Sequence, residues 1–221
     1  MKYTGVARNH LSISDLFSRV CVRWERRNPC AAAAALREDS GVYLATDTDM
    51  TLQIRRYRPG DRKPVLAAFR SNVPAHFPAS EESWLRSALD DPDGPLFVVV
   101  EAGEIVGFGG YELSEFYDLG TLVFGLVRAD RHGTGIGRAL LAYRLLHMAG
   151  RKLRPRYVTV DTHPHTAGFF RRCGFVEIAR WPAGYRSGRD RVDLRFDLTD
   201  EAVATLRARG WRHAFAREDV S

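Results

Sequence analysis

The stretch best equipped for chemistry runs from Val127 to Leu141 and reads VRADRHGTGIGRALL. An apolar run leads into alternating glycines, Gly133, Gly135 and Gly137, and these open a helical pattern. The first turn of a helix leaves its N–H groups unpaired and carries roughly half a positive charge. Glycine lets the backbone approach an anion with no Cβ in the way. The combination is that of a phosphate site, with Arg131 and Arg138 flanking it. The plainer reading is a helix that starts after a glycine turn. Against it, alternating glycines destabilise ordered backbone without some gain.

Spacing separates the ligand classes that use such loops. A dinucleotide site needs Gly-x-Gly-x-x-Gly, but counting from Gly133 the third position is Arg138. A P-loop needs Lys and then Ser or Thr after its last glycine, and Arg138-Ala139 supplies neither. What remains is a pyrophosphate held by Gly-x-Gly-x-Gly at a helix start, with a strand leading in.

On these residues the sequence resembles the GNAT superfamily of N-acetyltransferases. The family's cofactor motif (Arg or Gln, two residues, Gly, one residue, Gly or Ala) maps onto His132, Gly133, Thr134, Gly135, Ile136 and Gly137, with Arg138 following. A second likeness covers Thr166 to Phe175, TAGFFRRCGF, which is similar to a family helix ending in Gly-Phe. The resemblance implies acetyl-CoA as cosubstrate. It places the pyrophosphate on the loop amides and the pantetheine arm on the backbone of Leu126 and Val127. It puts His163 where the family commonly has an Asn on CoA, and Phe170 where many members have a Tyr that protonates the departing thiolate. Phenylalanine cannot donate a proton, so either another group does so or the thiolate leaves unaided, as its ordinary pKa near ~8.5 permits. His132 in place of Arg or Gln leaves binding by backbone amides intact.

The implied reaction is direct attack of an amine on the thioester, with a backbone N–H near Leu126 or Val127 stabilising the oxyanion by ~3 kcal/mol. The amine must also lose a proton. The strand from Thr121 to Val127 holds no carboxylate. Glu112 is the expected base, with Glu115 and Asp118 from the same region and Asp161 at the end of the next strand as the other candidates. Asp161-Thr162-His163-Pro164-His165 also invites a zinc reading, but Pro164 and the lack of a third clear ligand argue against a metal. Tyr111, Phe116, Tyr117, Trp181 and Tyr185 are either acceptor-pocket linings or core and rim aromatics.

The elements that would position these residues alternate from Thr51 onward. Helical spacing covers Pro64 to Asn72. Ser80 is the expected N-cap of a helix whose first turn holds Glu81 and Glu82. Leu96 to Val100 and Glu104 to Leu113 read as a hairpin through Ala102-Gly103. Leu119 to Val127 reads as a strand buried on both faces. A helix follows from Gly135 to about Arg151, then a strand Tyr157 to Asp161 and a short helix Thr166 to Cys173. Phe175 to Trp181 and Arg189 to Phe196 read as a closing hairpin, and Thr199 caps a helix from Asp200 to Arg209. This is an α/β fold, with a mixed, mostly antiparallel central sheet flanked by helices on both faces. Residues 1–50 read as a loosely ordered extension, with Met50 as an alternative start. The domain is expected over 51–198, and 199–221 form a terminal helix and tail.

Composition sets the outer limits. The chain has 221 residues and a net charge of +6. No apolar run reaches the ~18 residues of a membrane helix, so no membrane partner is expected and a cytoplasmic setting is. Cys21, Cys30 and Cys173 lack metal-ligand spacing and read as reduced thiols. Glu81 to Asp118 carries ten acidic residues and one basic, while Arg128 to Arg156 carries eight basic and one acidic. Either these are two solvated faces, or the acidic half draws a cationic acceptor and the basic half a polyanion. No aromatic-interleaved basic stretch supports nucleic acid. The function read from this is acetyl transfer to a primary amine of a small molecule or peptide, the alternative being a non-catalytic acyl-CoA-binding module. A homodimer through Trp211 to Phe215 is a further expectation.

Overall fold

In the computed structural model, the residues described are 52–114, 116–185 and 187–208. The expectations for residues 1–50, Glu115 and Trp211 to Phe215 lie outside them. The first strand, β1 (Gln53–Arg56), leads through a 3-10 turn at Pro59–Asp61 into α1 (Arg62–Arg70). Asp61 fastens that turn: its carboxylate accepts from the Arg58 amide at 2.8 Å and from both Nη atoms of Arg55 at 2.7 and 2.9 Å. These bonds hold the carboxyl below the usual range, the Arg55 bonds most of all.

Helix α2 (Glu82–Asp90) follows a 3-10 turn at Ala79–Glu81. Ser80 sits inside that turn rather than at the helix cap, because Pro78 already begins it with an extended backbone. Glu82 ties α2 to α1 through Arg70 and also takes Arg86 of its own helix, and these bonds lower its carboxyl to about 2. The β-branched run of β2 (Leu96–Glu101) turns at Ala102-Gly103 into β3 (Glu104–Ser114), and β4 (Leu119–Val127) returns beside it. After the glycine loop come α3 (Ile136–Ala149), β5 (Tyr157–Thr162), α4 (Pro164–Arg172), β6 (Val176–Trp181), β7 (Arg191–Asp197) and α5 (Asp200–Ala208).

The strands form one sheet in the order β1-β2-β3-β4-β5-β7-β6. Every neighbouring pair is antiparallel except β4 and β5. Alternate residues along each strand feed two cores, as the period of two requires. On one face Val65, Leu66 and Phe69 of α1 and Leu85 and Leu89 of α2 pack on Val98, Phe108 and Leu126. On the other, α3 packs with Phe170 of α4 and Val203 of α5 on Phe97, Tyr111, Val158, Val160 and Leu194. Thr199 caps α5 as read from the sequence, its Oγ1 accepting from the Ala202 amide at 3.1 Å. Because Val203 lies in the α3-side core, α5 is built into the domain. Helix α4 begins at Pro164, two residues before the expected Thr166. His163 is its cap, and proline at the first helical position is pre-set for the turn.

Candidate active site

Strands β4 and β5 pair only at Leu119–Tyr157, Gly120–Val158 and Thr121–Thr159. Beyond that point they part, and the cause is in β4. Phe108 faces Leu126 and Gly110 faces Val123, so three steps along β4 match two along β3. The extra residue falls at Phe124-Gly125, where Phe124 takes a φ of 53°. Such a bulge bends its strand, and Val123 to Val127 diverge from Val160 to Thr162. The expectation that β4 is buried on both faces therefore fails at its second half, which is partly open.

A buried cation braces the bulge. Arg144 of α3 is 3% exposed and donates from Nη1 to Gly110 O at 3.1 Å and Val123 O at 3.3 Å. Burial lowers its guanidinium to about 10, which leaves it charged at neutral pH. Glycine is needed opposite: a Cβ on Gly109 would lie 3.0 Å from Arg144 Nη1 and 3.1 Å from Phe124 O.

The wedge between β4 and β5 exposes unpaired backbone. The Arg128 amide bonds Val106 O at 2.8 Å. Alternation then turns the backbone groups of Leu126 toward β3 and those of Val127 toward the wedge. The Val127 carbonyl accepts from Asn72 Nδ2 at 2.9 Å and bonds His132 Nε2 at 3.0 Å. Its N–H is left to face the opening. Of Leu126 and Val127, Val127 is the one whose backbone groups are turned to the wedge.

The glycine loop follows β4 at the open end of the wedge, after the 3-10 turn Ala129–Arg131. Gly133 and Gly135 have φ of 80° and 91°, which a side chain opposes, and Gly135 is the residue that caps α3. Gly137 has an ordinary backbone, and a Cβ there would meet Val127 Cγ2 at 3.5 Å and Phe169 at 3.7 Å, both normal contacts. Among the described residues, no hydrogen bond engages the N–H groups of Gly133 through Gly137. Thr134 Oγ1 donates back to Arg131 O at 2.7 Å and holds the turn. Arg138 is exposed beside the loop, whereas Arg131 is paired with the buried Glu101 at 2.9 Å. Arg128 likewise pairs with Glu104. The acidic and basic halves of the sequence thus partly neutralise each other. A row of free amides, open space over Gly133 and Gly135, and one free arginine fit a pyrophosphate.

Four imidazoles line the rim. The His76 ring lies 5.0 Å from His132 and 5.2 Å from His165, and His163 lies 5.9 Å from His165. Burial and its cationic neighbours lower His76. Among the described residues no group of three or more His, Cys, Asp or Glu is placed to hold a metal ion. Phe170 is 7% exposed and packs edge-on against Phe169 and Phe175. It belongs to the core, and its neighbour Phe169 is the ring that reaches the glycine loop.

The carboxylates fall in different places. Asp118 is exposed at the closed start of β4, where its carbonyl accepts from the amides of Arg156 and Tyr157. Glu112 pairs with Thr121, the last residue of the closed section, and burial and Asp93 raise its carboxyl. Asp161 stands at the open end of β5. Its strand neighbours Val158 and Val160 enter the α3-side core, so Asp161 faces the side of α1 and α2. Tyr185, from the loop joining β6 and β7, donates to Asp161 Oδ2 at 3.0 Å. Cross-strand Asp193 is 1% exposed and holds Trp181 Nε1 at 2.7 Å and Arg191. Tyr111 is fully buried and bonded to His147, so it is a core residue, while Phe116 and Tyr117 are exposed. The Asp161–Tyr185 pair carries no local signal in sequence, since the partners are 24 residues apart.

Residues 92–177 match the family model "Acetyltransferase (GNAT) domain". A mycothiol acetyltransferase of Streptomyces bingchenggensis is 34% identical over 132 residues, covering 56% of this chain and 42% of that protein. One from Streptomyces coelicolor is 28% identical over 133 residues, covering 57% and 43%. This chain therefore spans less than half the length of either relative. Among solved structures, a GNAT-family protein from Desulfovibrio desulfuricans superposes with a TM-score of 0.58 at 23% identity, over 67% of this chain and 99% of its own. The ribosomal-protein-S18-alanine N-acetyltransferase of Escherichia coli gives 0.56 at 17% identity, over 77% and 99%. The spermidine N-acetyltransferase of Vibrio cholerae gives 0.54 at 15% identity, over 67% and 94%. Residues 92–177 thus match a GNAT acetyltransferase domain model, and the chain shares its fold with solved acetyltransferases of that family.

Proposed function

We propose that this protein transfers the acetyl group of acetyl-CoA to a primary amine of a small-molecule or peptide acceptor, by direct attack. The observation that carries the reading is the wedge between β4 and β5, with the unbonded amides of Gly133 to Gly137 beyond the end of β4 and the Asp161–Tyr185 pair on the diverging part of β5. In this reading the loop from His132 to Arg138 holds the pyrophosphate and Val127 N–H orients the pantetheine arm. His163 caps α4 directly after β5, the other strand of the wedge. Leu126 and Phe170 act by packing, one on each face of the sheet. The bound thioester supplies the activated acetyl group. The chain's part is to align it, to donate N–H groups from the bulged strand to the developing oxyanion and to accept a proton from the amine. Relatives named for mycothiol and spermidine acetylation support a small amine as acceptor.

The test is calorimetric titration of acetyl-CoA into the protein. Saturable binding of one equivalent, competed by CoA, is expected. Absence of binding to the folded protein would contradict the reading.

A further inference from the structure

Three carboxylates can be set aside by their place or their partners, and Glu81, in the turn before α2, lies off the strands that frame the wedge. Asp118 lies at the closed end, and Glu112 is level with Thr121, the last residue that pairs with β5. Asp193 is buried with both oxygens occupied, Oδ2 by Trp181 and Arg191 and Oδ1 by Arg191 Nε at 2.8 Å. Asp161 is the carboxylate on the diverging part of β5, on the face away from α3. Among the described residues no side chain other than Tyr185 donates to it.

We infer that Asp161 is the general base for the acceptor amine and that Tyr185 is the positioning residue that holds it. This rests on the acetyltransferase reading above. Asp161 takes one proton from the acceptor ammonium. The freed nitrogen lone pair bonds to the thioester carbonyl carbon, and the C–S bond breaks as the carbonyl re-forms. The second nitrogen proton goes to the departing thiolate, giving amide and CoA thiol. Asp161 then returns its proton to water.

The surroundings suit this role. Burial pushes the Asp161 carboxyl up, more than the Tyr185 bond and the Arg191 charge pull it down, while Asp193 on β7 adds to the rise. A base raised toward neutrality is the more effective one at neutral pH. Burial and Asp161 keep the Tyr185 hydroxyl protonated, so it donates throughout the working range. Glu81, in the turn before α2, feels both Asp161 and Arg189. Two carboxylates near enough to interact favour an acceptor that arrives as a cation.

The experiment compares wild type with Asp161→Asn, Asp161→Glu, Tyr185→Phe and Glu112→Gln. Each is first titrated with acetyl-CoA, then assayed for CoA release with spermidine, a Lys-bearing peptide and an aminoglycoside, using the fastest amine for pH profiles. Asp161→Asn is expected to bind acetyl-CoA as wild type does and to lose ~100-fold or more in kcat. Its acidic limb should move toward the amine's own pKa, near ~10 for a lysine-like amine. Asp161→Glu should recover part of kcat. Tyr185→Phe removes a bond that lowers the Asp161 carboxyl, so its limb should shift up in pH with a smaller loss of kcat. Three results would overturn the inference. They are an Asp161→Asn enzyme with near wild-type kcat and limb, a larger loss in Glu112→Gln, and acetyl-CoA binding without turnover of any amine. Failure of the wild type to bind acetyl-CoA would instead strike the acetyltransferase reading itself.

Discussion

Gly135→Glu is expected to weaken acetyl-CoA binding by ~100-fold or more while the protein stays folded. Two effects combine. The residue caps α3 at a φ of 91°, so any side chain strains the loop by ~1–2 kcal/mol. The new carboxylate also stands among the amides that would otherwise meet phosphate oxygens, where like charge is repelled. No steric clash adds to this, because a Cβ at Gly135 meets nothing within 4 Å. Gly135→Ala isolates the strain and should weaken binding by about tenfold, the worth of ~1.4 kcal/mol. Gly137→Ala is the control. Its backbone is ordinary and its Cβ would make normal contacts with Val127 and Phe169, so binding should stay within about twofold of wild type. Calorimetry of the three variants beside wild type checks the series. A loss in Gly137→Ala equal to that in Gly135→Ala would mean that φ is not what the loop requires.

The second large effect concerns the strand opposite the bulge. Gly110→Ala should destabilise the domain by ~2–3 kcal/mol, since overpacking at a rigid site costs that much. A Cβ there would lie 2.6 Å from Pro95 O and 2.6 Å from Leu96 Cδ2. The first is backbone and cannot swing aside. At ~2–4 °C per kcal/mol for a domain of this size, thermal melting should fall by roughly 5–10 °C. Gly60→Ala, where a Cβ meets nothing within 4 Å, should melt within about 1 °C of wild type. Equal melting of both variants would show that β2 and β3 are not held this closely.

Much of this architecture is legible in the residues. The β-branched run of β2, the Ala102-Gly103 turn, the glycines before α3, Thr199 and Gly174 each act within a few positions of themselves, so local rules find them. The resemblance added the ligand of the loop, which spacing had narrowed to a pyrophosphate. What sequence hid is what depends on register and on distant partners. The bulge at Phe124-Gly125 has no signature in composition, yet it decides that β4 and β5 part after Thr121. Arg144 entered the charge tally as one more basic residue of the second half, whereas it is buried and braces that bulge. Arg131 looked like a phosphate ligand because it precedes the loop, and its pairing with Glu101 emerges only when β2 lies alongside. Glu112 was favoured as base for its nearness in sequence to β4. Asp161 and Tyr185 meet from a strand and a loop 24 residues apart, which no local rule reveals. Pro164 looked like an obstacle to a site and is the first residue of α4.

The measurement that bears most directly on acetyl transfer is a paired one. Free CoA is followed with acetyl-CoA in the presence and absence of each amine, and the amine is recovered and weighed by mass spectrometry. Amine-dependent release of CoA is expected, matched mole for mole by an amine carrying one added acetyl group, and lost in Asp161→Asn. Binding of acetyl-CoA with no acetylated amine and no amine-dependent release would contradict it, and would leave the fold as a module that holds acyl-CoA without reacting it.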